Sequence, residues 1–204
     1  LNSDDGWSLN FDDIISKMND KVRLLVLINP NNPTGAVVGR EEIERLLEIL
    51  KPYPNCIIVA DEIYDGLDFS NRHVSVASCS DMHPVVVMNG VSKVYYAPGW
   101  RIGYMALHDP CKTLSSVRDG IERILRSRLC ASTPAQLGFL AGLNQDRSWM
   151  DQYSDIVKQR RDVCLERVAN IEGLEVEQPD GAFYMFIRLT DEQWKKNDKD
   201  FVLQ

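Results

Sequence analysis

Lys93 stands on a run of small residues, Asn89-Gly90-Val91-Ser92-Lys93, and Arg101 follows eight positions later in Gly99-Trp100-Arg101-Ile102-Gly103. A neutral amine on a tight turn attacks carbonyls, and the planar guanidinium fork suits a phosphate. Together the two describe a lysine that holds an aldehyde-bearing group beside a phosphate anchor. Taken singly, each has a plainer reading: a solvent-exposed lysine, and an arginine in a surface ion pair.

Two further segments carry complementary groups. Asp61-Glu62-Ile63-Tyr64 follows directly on the apolar run 56–60. A carboxylate at a buried strand end is costly without a positive partner. A protonated pyridine nitrogen is such a partner, and keeping it protonated is what lets a pyridoxal ring accept electrons from a carbanion. Tyr64 is then in reach of the ring's phenolic oxygen. Asn32, in Asn29-Pro30-Asn31-Asn32-Pro33-Thr34-Gly35, is a second donor to that oxygen. The bland alternatives are a helix-capping aspartate with a core tyrosine, and a rigid loop of ordinary turn residues.

These groups need elements to hold them. Leu24–Ile28 is short and wholly apolar, as are 56–60 and 84–88, which suits strands buried on both faces of a parallel sheet. Residues 102–107 are expected to add a fourth strand. Helices are expected over 11–19 and 41–51, the second with Ile43, Leu46, Leu47 and Leu50 on one stripe. The fold class is therefore α/β: a doubly wound, mostly parallel sheet with its chemistry at the carboxyl ends of the strands. Asp109-Pro110 reads as a helix cap followed by a first-turn proline, opening a long helical region with Val117, Ile121, Ile124, Leu125 and Leu129 on one side. Thr133-Pro134 repeats that signal for a helix to 143, and another is expected over 148–169. Strands over 173–177 and 182–189, joined by a turn at 178–181, begin a smaller α+β domain. The expected division is 1–110 in the large domain, 111–145 as interdomain helices and 146–204 as an incomplete small domain.

Composition narrows the classes. The 204 residues suffice for one domain with a good core, or one and part of another. A net charge of -7 argues against nucleic acid or an anionic membrane as the main partner. No apolar run approaches the ~20 residues a membrane helix needs. The five cysteines are dispersed without a Cys-x-x-Cys pair, which reads as reduced thiols in a cytoplasmic protein. His73, His83 and His108 lack metal-ligand spacing, so no metal is expected. Arg118, Arg123, Arg126 and Arg128 form a basic cluster, but Asp119 and Glu122 interleave with it. A solvated helix face or subunit contact fits it better than a nucleic-acid site.

The three segments occur in an order and spacing that resemble the fold-type I pyridoxal-phosphate aminotransferases of class I/II, over essentially the whole chain. Pro179-Asp180-Gly181-Ala182-Phe183-Tyr184 is similar to the start of that family's small domain, and Asn89-Gly90-Val91-Ser92-Lys93 is most similar to the alanine and tyrosine aminotransferase branch. The resemblance implies pyridoxal 5′-phosphate as cofactor, an alanine-type or aromatic amino acid and a 2-oxo acid as substrates, and a homodimer. It implies that Lys93 forms the Schiff base and later moves the proton between the substrate α-carbon and cofactor C4′. Asp61 would pair with the pyridinium, Tyr64 and Asn32 would bond the phenolic oxygen, and Arg101 with Ser92 would hold the phosphate. A cis Asn32-Pro33 bond is also implied. Gly90 departs from the pattern, since many relatives have serine there. A phosphate-cradling glycine turn, a ring-stacking aromatic and a carboxylate-gripping arginine have no candidate. The chain therefore reads as the middle and C-terminal part of an aminotransferase, ending within an amphipathic segment and expected to have little activity alone.

Two alternatives share these residues, and the sequence barely separates the first of them from a transaminase. A carbon–sulfur or carbon–carbon lyase would use the same cofactor residues. An ATPase reading of the strand ending in Asp61-Glu62 lacks Gly-x-x-x-x-Gly-Lys-Ser/Thr. A cofactor-sensing domain of a transcription regulator would keep the same site residues.

Overall fold

The computed structural model describes residues 1, 6–146, 148–191 and 198–203. Its main sheet has strands β1 (Leu24–Ile28), β2 (Ile57–Asp61), β3 (Val85–Gly90) and β4 (Gly103–His108), in spatial order 1-2-3-4. The first three are parallel and β4 runs antiparallel to β3. The sheet is thus mostly parallel, as expected. The connection from β3 to β4, residues 91–102, holds only a 3₁₀ turn at Pro98–Trp100 and no α-helix of the kind that usually carries a parallel crossover.

Register explains the core. Leu25 lies beside Ile58 and Leu27 beside Ala60, and these continue to Val85 and Val87 on β3. This face is covered by helix α1 (Phe11–Lys17) and helix α2 (Arg40–Leu50). Asn10 caps α1 by accepting from the Asp13 amide at 2.9 Å. The α1 helix stops two residues before its expected end: the Met18 backbone is extended, and its amide closes the last turn onto Ile14 and Ile15. Ile43, Leu46, Leu47 and Leu50 of α2 are all buried, each contributing roughly 1.5–3 kcal/mol. The opposite face presents the row Ile28–Asp61–Met88 across β1, β2 and β3.

Beyond the sheet run helices α3 (Ser115–Arg128), α4 (Thr133–Leu143) and α5 (Ser148–Val168), then an antiparallel pair, β5 (Leu174–Val176) and β6 (Ile187–Leu189), and helix α6 (Asp198–Leu203). Gln204, at the end of the expected amphipathic segment, lies outside the described residues. Asp109-Pro110 does not start α3. The Asp109 carboxylate instead accepts from the Thr113 and Leu114 amides at 2.8 and 2.9 Å, closing a loop of its own before the helix begins. The α3 stripe exists, but its Ile124 and Leu125 are exposed. Its arginines pair within the helix, Arg118 and Arg126 each with Glu122.

The segment 178–186 is neither a hairpin turn nor a strand, contrary to expectation. Its backbone groups are satisfied by the large sheet's loops instead. The Asp180 and Gly181 amides donate to the Gly35 carbonyl at 2.9 and 2.8 Å, and the Ala182 amide donates to Leu67 at 2.8 Å. Phe69 donates back to the Asp180 carbonyl at 2.8 Å. This strap lies so close that a Cβ on Gly35 would come within 2.2 Å of the Pro179 Cβ. Tyr64, Leu67, Val157 and Ala182 make a second small core beneath it.

Candidate active site

The row Ile28–Asp61–Met88 floors a cavity of about 480 Å³ at the carboxyl ends of the parallel strands. Asn32, Asp61, Tyr64, Ser92, Lys93 and Arg101 all line it. All six residues singled out in the sequence therefore converge, although they come from three separate segments, after β1, at and after the end of β2, and after β3.

Strand alternation separates the two adjacent acids. Asp61 faces the cavity and accepts from the Ile63 amide at 3.2 Å. Glu62 turns to the other side, is buried, and accepts from the Ser75 hydroxyl and the Val76 amide at 2.9 and 3.0 Å. Burial raises the Glu62 carboxyl above its usual range despite those two bonds.

Tyr64 is almost wholly buried, and that burial pushes its phenol upward, against the Asn32 amide, which draws it down. Asn32 Nδ2 donates to the Tyr64 hydroxyl at 3.4 Å. The loop that carries Asn32 is wired internally. Buried Asn29 clamps Val38 through two bonds, at 2.9 and 2.8 Å, while Asn31 Oδ1 accepts from the Thr34 hydroxyl at 2.8 Å. Asn32-Pro33 is cis, as expected, and Asn29-Pro30 is cis as well.

Lys93 follows β3 on a turn, with its Nζ 5.7 Å from the Tyr64 ring centroid and 5.6 Å from that of Phe183, within cation–π range. Arg101 ends a 3₁₀ turn at Pro98–Trp100 in the left-handed conformation, φ 53° and ψ 42°. Its Nη1 donates to the Pro98 carbonyl at 2.8 Å. It makes no ion pair among the described residues, so most of its fork is free.

Gly90 has a steric explanation. It lies opposite Gly103 across β3 and β4, and a Cβ there would sit 2.8 Å from both the Gly103 Cα and the Ile102 carbonyl oxygen. A serine does not fit this backbone, which leaves Ser92 as the serine that lines the cavity.

The sequence reading gave no role to Phe183 or Tyr184. The Tyr184 hydroxyl is 2.7 Å from that of Tyr64, with the rings edge to face at 5.6 Å. Phe183 packs edge-on against Tyr64 at 5.5 Å. Their motif was visible, but residues 120 positions apart show no spacing signal that joins them. A second hollow, about 570 Å³, lies by the end of α5 and is walled by Trp7, Val168 and Phe186. None of the six residues reaches it. Among the described residues, no group of three or more His, Cys, Asp or Glu is placed to hold a metal ion, and no helix is long and apolar enough to cross a membrane.

Comparison with known proteins agrees with this fold. The family described as aminotransferase class I and II matches residues 1–204. The glutamate-pyruvate aminotransferase AlaA of Escherichia coli K12 is 34% identical over 206 residues, covering 97% of this chain and 51% of the relative. A probable aspartate aminotransferase of Methanocaldococcus jannaschii is 35% identical over 187 residues, covering 91% of this chain and 48% of its own length. The solved alanine aminotransferase from Pyrococcus furiosus superposes with a TM-score of 0.93 at 42% identity, covering 98% of this chain and 50% of that one. The chain spans about half the length of the curated relatives it matches.

Proposed function

We propose that this chain, which belongs to the aminotransferase class I and II family, supplies the cofactor-binding part of an enzyme that moves an amino group between an amino acid and a 2-oxo acid. The observation that carries this is the convergence of Asn32, Asp61, Tyr64, Ser92, Lys93 and Arg101 on one cavity.

The family generally depends on pyridoxal phosphate, and the donor set fits that group. One carboxylate, one amine, one guanidinium without an acidic partner among the described residues and two hydrogen-bond donors, buried Tyr64 and exposed Asn32, match its ring nitrogen, aldehyde, phosphate and phenolic oxygen. When bound, pyridoxal 5′-phosphate supplies an electron sink for charge that develops on the substrate. Asp61 then keeps the ring nitrogen protonated from the cavity floor. Lys93 would be the amine that holds the aldehyde through Nζ, and the same Nζ would hold and move a proton as general base and acid. Arg101 anchors the phosphate through its free donors, with Ser92 beside it. Tyr64 and Asn32 donate to the phenolic oxygen.

The substrate side of the proposal is an alanine-type or aromatic amino acid with a 2-oxo acid acceptor. Relatives named for glutamate-pyruvate and alanine transfer support the alanine type. The exposed apolar residues of α3 and α4 (Ile124, Leu125, Leu137 and Leu140 among them) support a homodimer. The proposed division is a large domain over 1–110, connecting helices over 111–145 and a small domain over 146–204. A cytoplasmic location is proposed from the five cysteines, all free thiols. The test is amino transfer from alanine to 2-oxoglutarate by the protein expressed with its native flanking sequence. Turnover dependent on added pyridoxal phosphate is expected. A well-folded protein that neither binds pyridoxal phosphate nor transfers an amino group would overturn the reading.

A further inference from the structure

Tyr184 is placed by two sets of bonds, both made by elements of the site. The strap that carries it is hydrogen-bonded to Gly35, in the loop of Asn32, and to Leu67, just beyond Tyr64. Arg72 fastens it again by donating to the Val37 carbonyl at 2.7 Å and to the Asp180 carboxylate at 3.1 Å. The Tyr184 hydroxyl therefore reaches the Tyr64 hydroxyl at 2.7 Å from a backbone fixed to both donor-bearing segments. It has no other hydrogen-bond partner among the described residues.

A phenol has one proton and two acceptor positions. Asn32 occupies one acceptor position on the Tyr64 oxygen. If Tyr64 spends its proton on Tyr184, it has none to offer to the cavity. If Tyr184 donates instead, it fills the second acceptor position and turns the Tyr64 proton outward. We propose that Tyr184 is a positioning residue: it donates to Tyr64 and thereby aims the Tyr64 hydroxyl proton at the phenolic oxygen of a bound pyridoxal phosphate. This rests on the reading of the cavity as a pyridoxal-phosphate site. The titratable groups around Tyr64 are Tyr184, Asp61 and Lys93. Of these, only Tyr184 is hydrogen-bonded to its oxygen.

The test is a double-variant cycle of Tyr184→Phe and Tyr64→Phe in the protein with its native flanking sequence. Tyr184→Phe keeps the ring that packs edge to face on Tyr64, so the fold should persist. The readouts are the dissociation constant for pyridoxal phosphate and the pH midpoint of the bound cofactor's visible absorbance. Tyr184→Phe should weaken binding about threefold to tenfold, the worth of one neutral hydrogen bond. It should also move the midpoint upward, because a Tyr64 hydroxyl that has lost the Tyr184 donor is a weaker and less well aimed donor, and a phenolic oxygen with a weaker donor holds its charge less well. In a Tyr64→Phe background the same substitution should change neither. Equal effects of Tyr184→Phe in both backgrounds, or no shift of the midpoint, would overturn the positioning role while leaving the site reading intact. Failure of the unsubstituted protein to bind pyridoxal phosphate would overturn both. Thermal unfolding of the cofactor-free variants separates simple loss of packing, which would lower their stability without moving the midpoint and would also count against the role.

Discussion

Arg101 is the cation the account assigns to the phosphate, and its single bond to the Pro98 carbonyl leaves most of its fork unused. Replacing it by Gln should weaken pyridoxal-phosphate binding about tenfold to hundredfold, the worth of a charged hydrogen bond. Fluorescence titration would show this, and an unchanged constant would remove Arg101 from the site. Glu62 makes the contrasting prediction. Its carboxyl is raised by burial, so the folded state holds its proton more tightly than the unfolded state does. Its contribution is fully present below the ordinary glutamate value of about 4.3 and is lost as pH rises through the higher folded value. Glu62→Gln keeps an acceptor for Ser75 and Val76 but cannot ionise. Relative to wild type it should therefore gain stability as pH rises from about 4 to neutral, read from urea midpoints; a relative loss over that range would contradict the assignment. The placement of these adjacent acids was only half legible. The sequence placed Asp61 at a strand end, but nothing in it said that Glu62 would be buried against Ser75 and Val76, since those contacts depend on a later loop.

At the scale of elements, the apolar runs of β1, β2 and β3 were readable as strands, but the expected burial on both faces does not hold for β1, whose Leu24 and Val26 are 58% and 63% exposed. The α2 stripe was readable from its period. The direction of β4 and the fate of 178–186 were not, because both depend on which partner satisfies the backbone rather than on local pattern. Two glycines mark those tertiary decisions. Gly90→Ser forces a side chain against Gly103 and Ile102. It should cost about 1–3 kcal/mol in urea unfolding, as overpacking does. A substitution of no consequence would mean that β3 and β4 pair less closely than described. Gly35 has φ +73° and meets the strap at Pro179. Gly35→Ala should loosen residues 179–184 and speed their proteolysis, while unchanged cleavage would show that the strap is held elsewhere.

For the molecule as a whole, the cavity is assembled from loops that follow β1, β2 and β3, and the strap from beyond α5 closes over Tyr64. That arrangement makes the site depend on the packing of 179–184 as much as on the sheet. The convergence of six residues was legible because three motifs were intact and ordered. The contribution of Phe183 and Tyr184 was not, because only folding brings the strap to Tyr64. The most direct measurement of the central claim is borohydride reduction of the protein in the presence of pyridoxal phosphate, followed by peptide mapping. The account predicts a pyridoxyl label on Lys93, abolished in Lys93→Ala together with about 10²–10⁴-fold or more of any amino-transfer activity. A label on Lys112 instead, or an unlabelled protein that binds the cofactor, would contradict it.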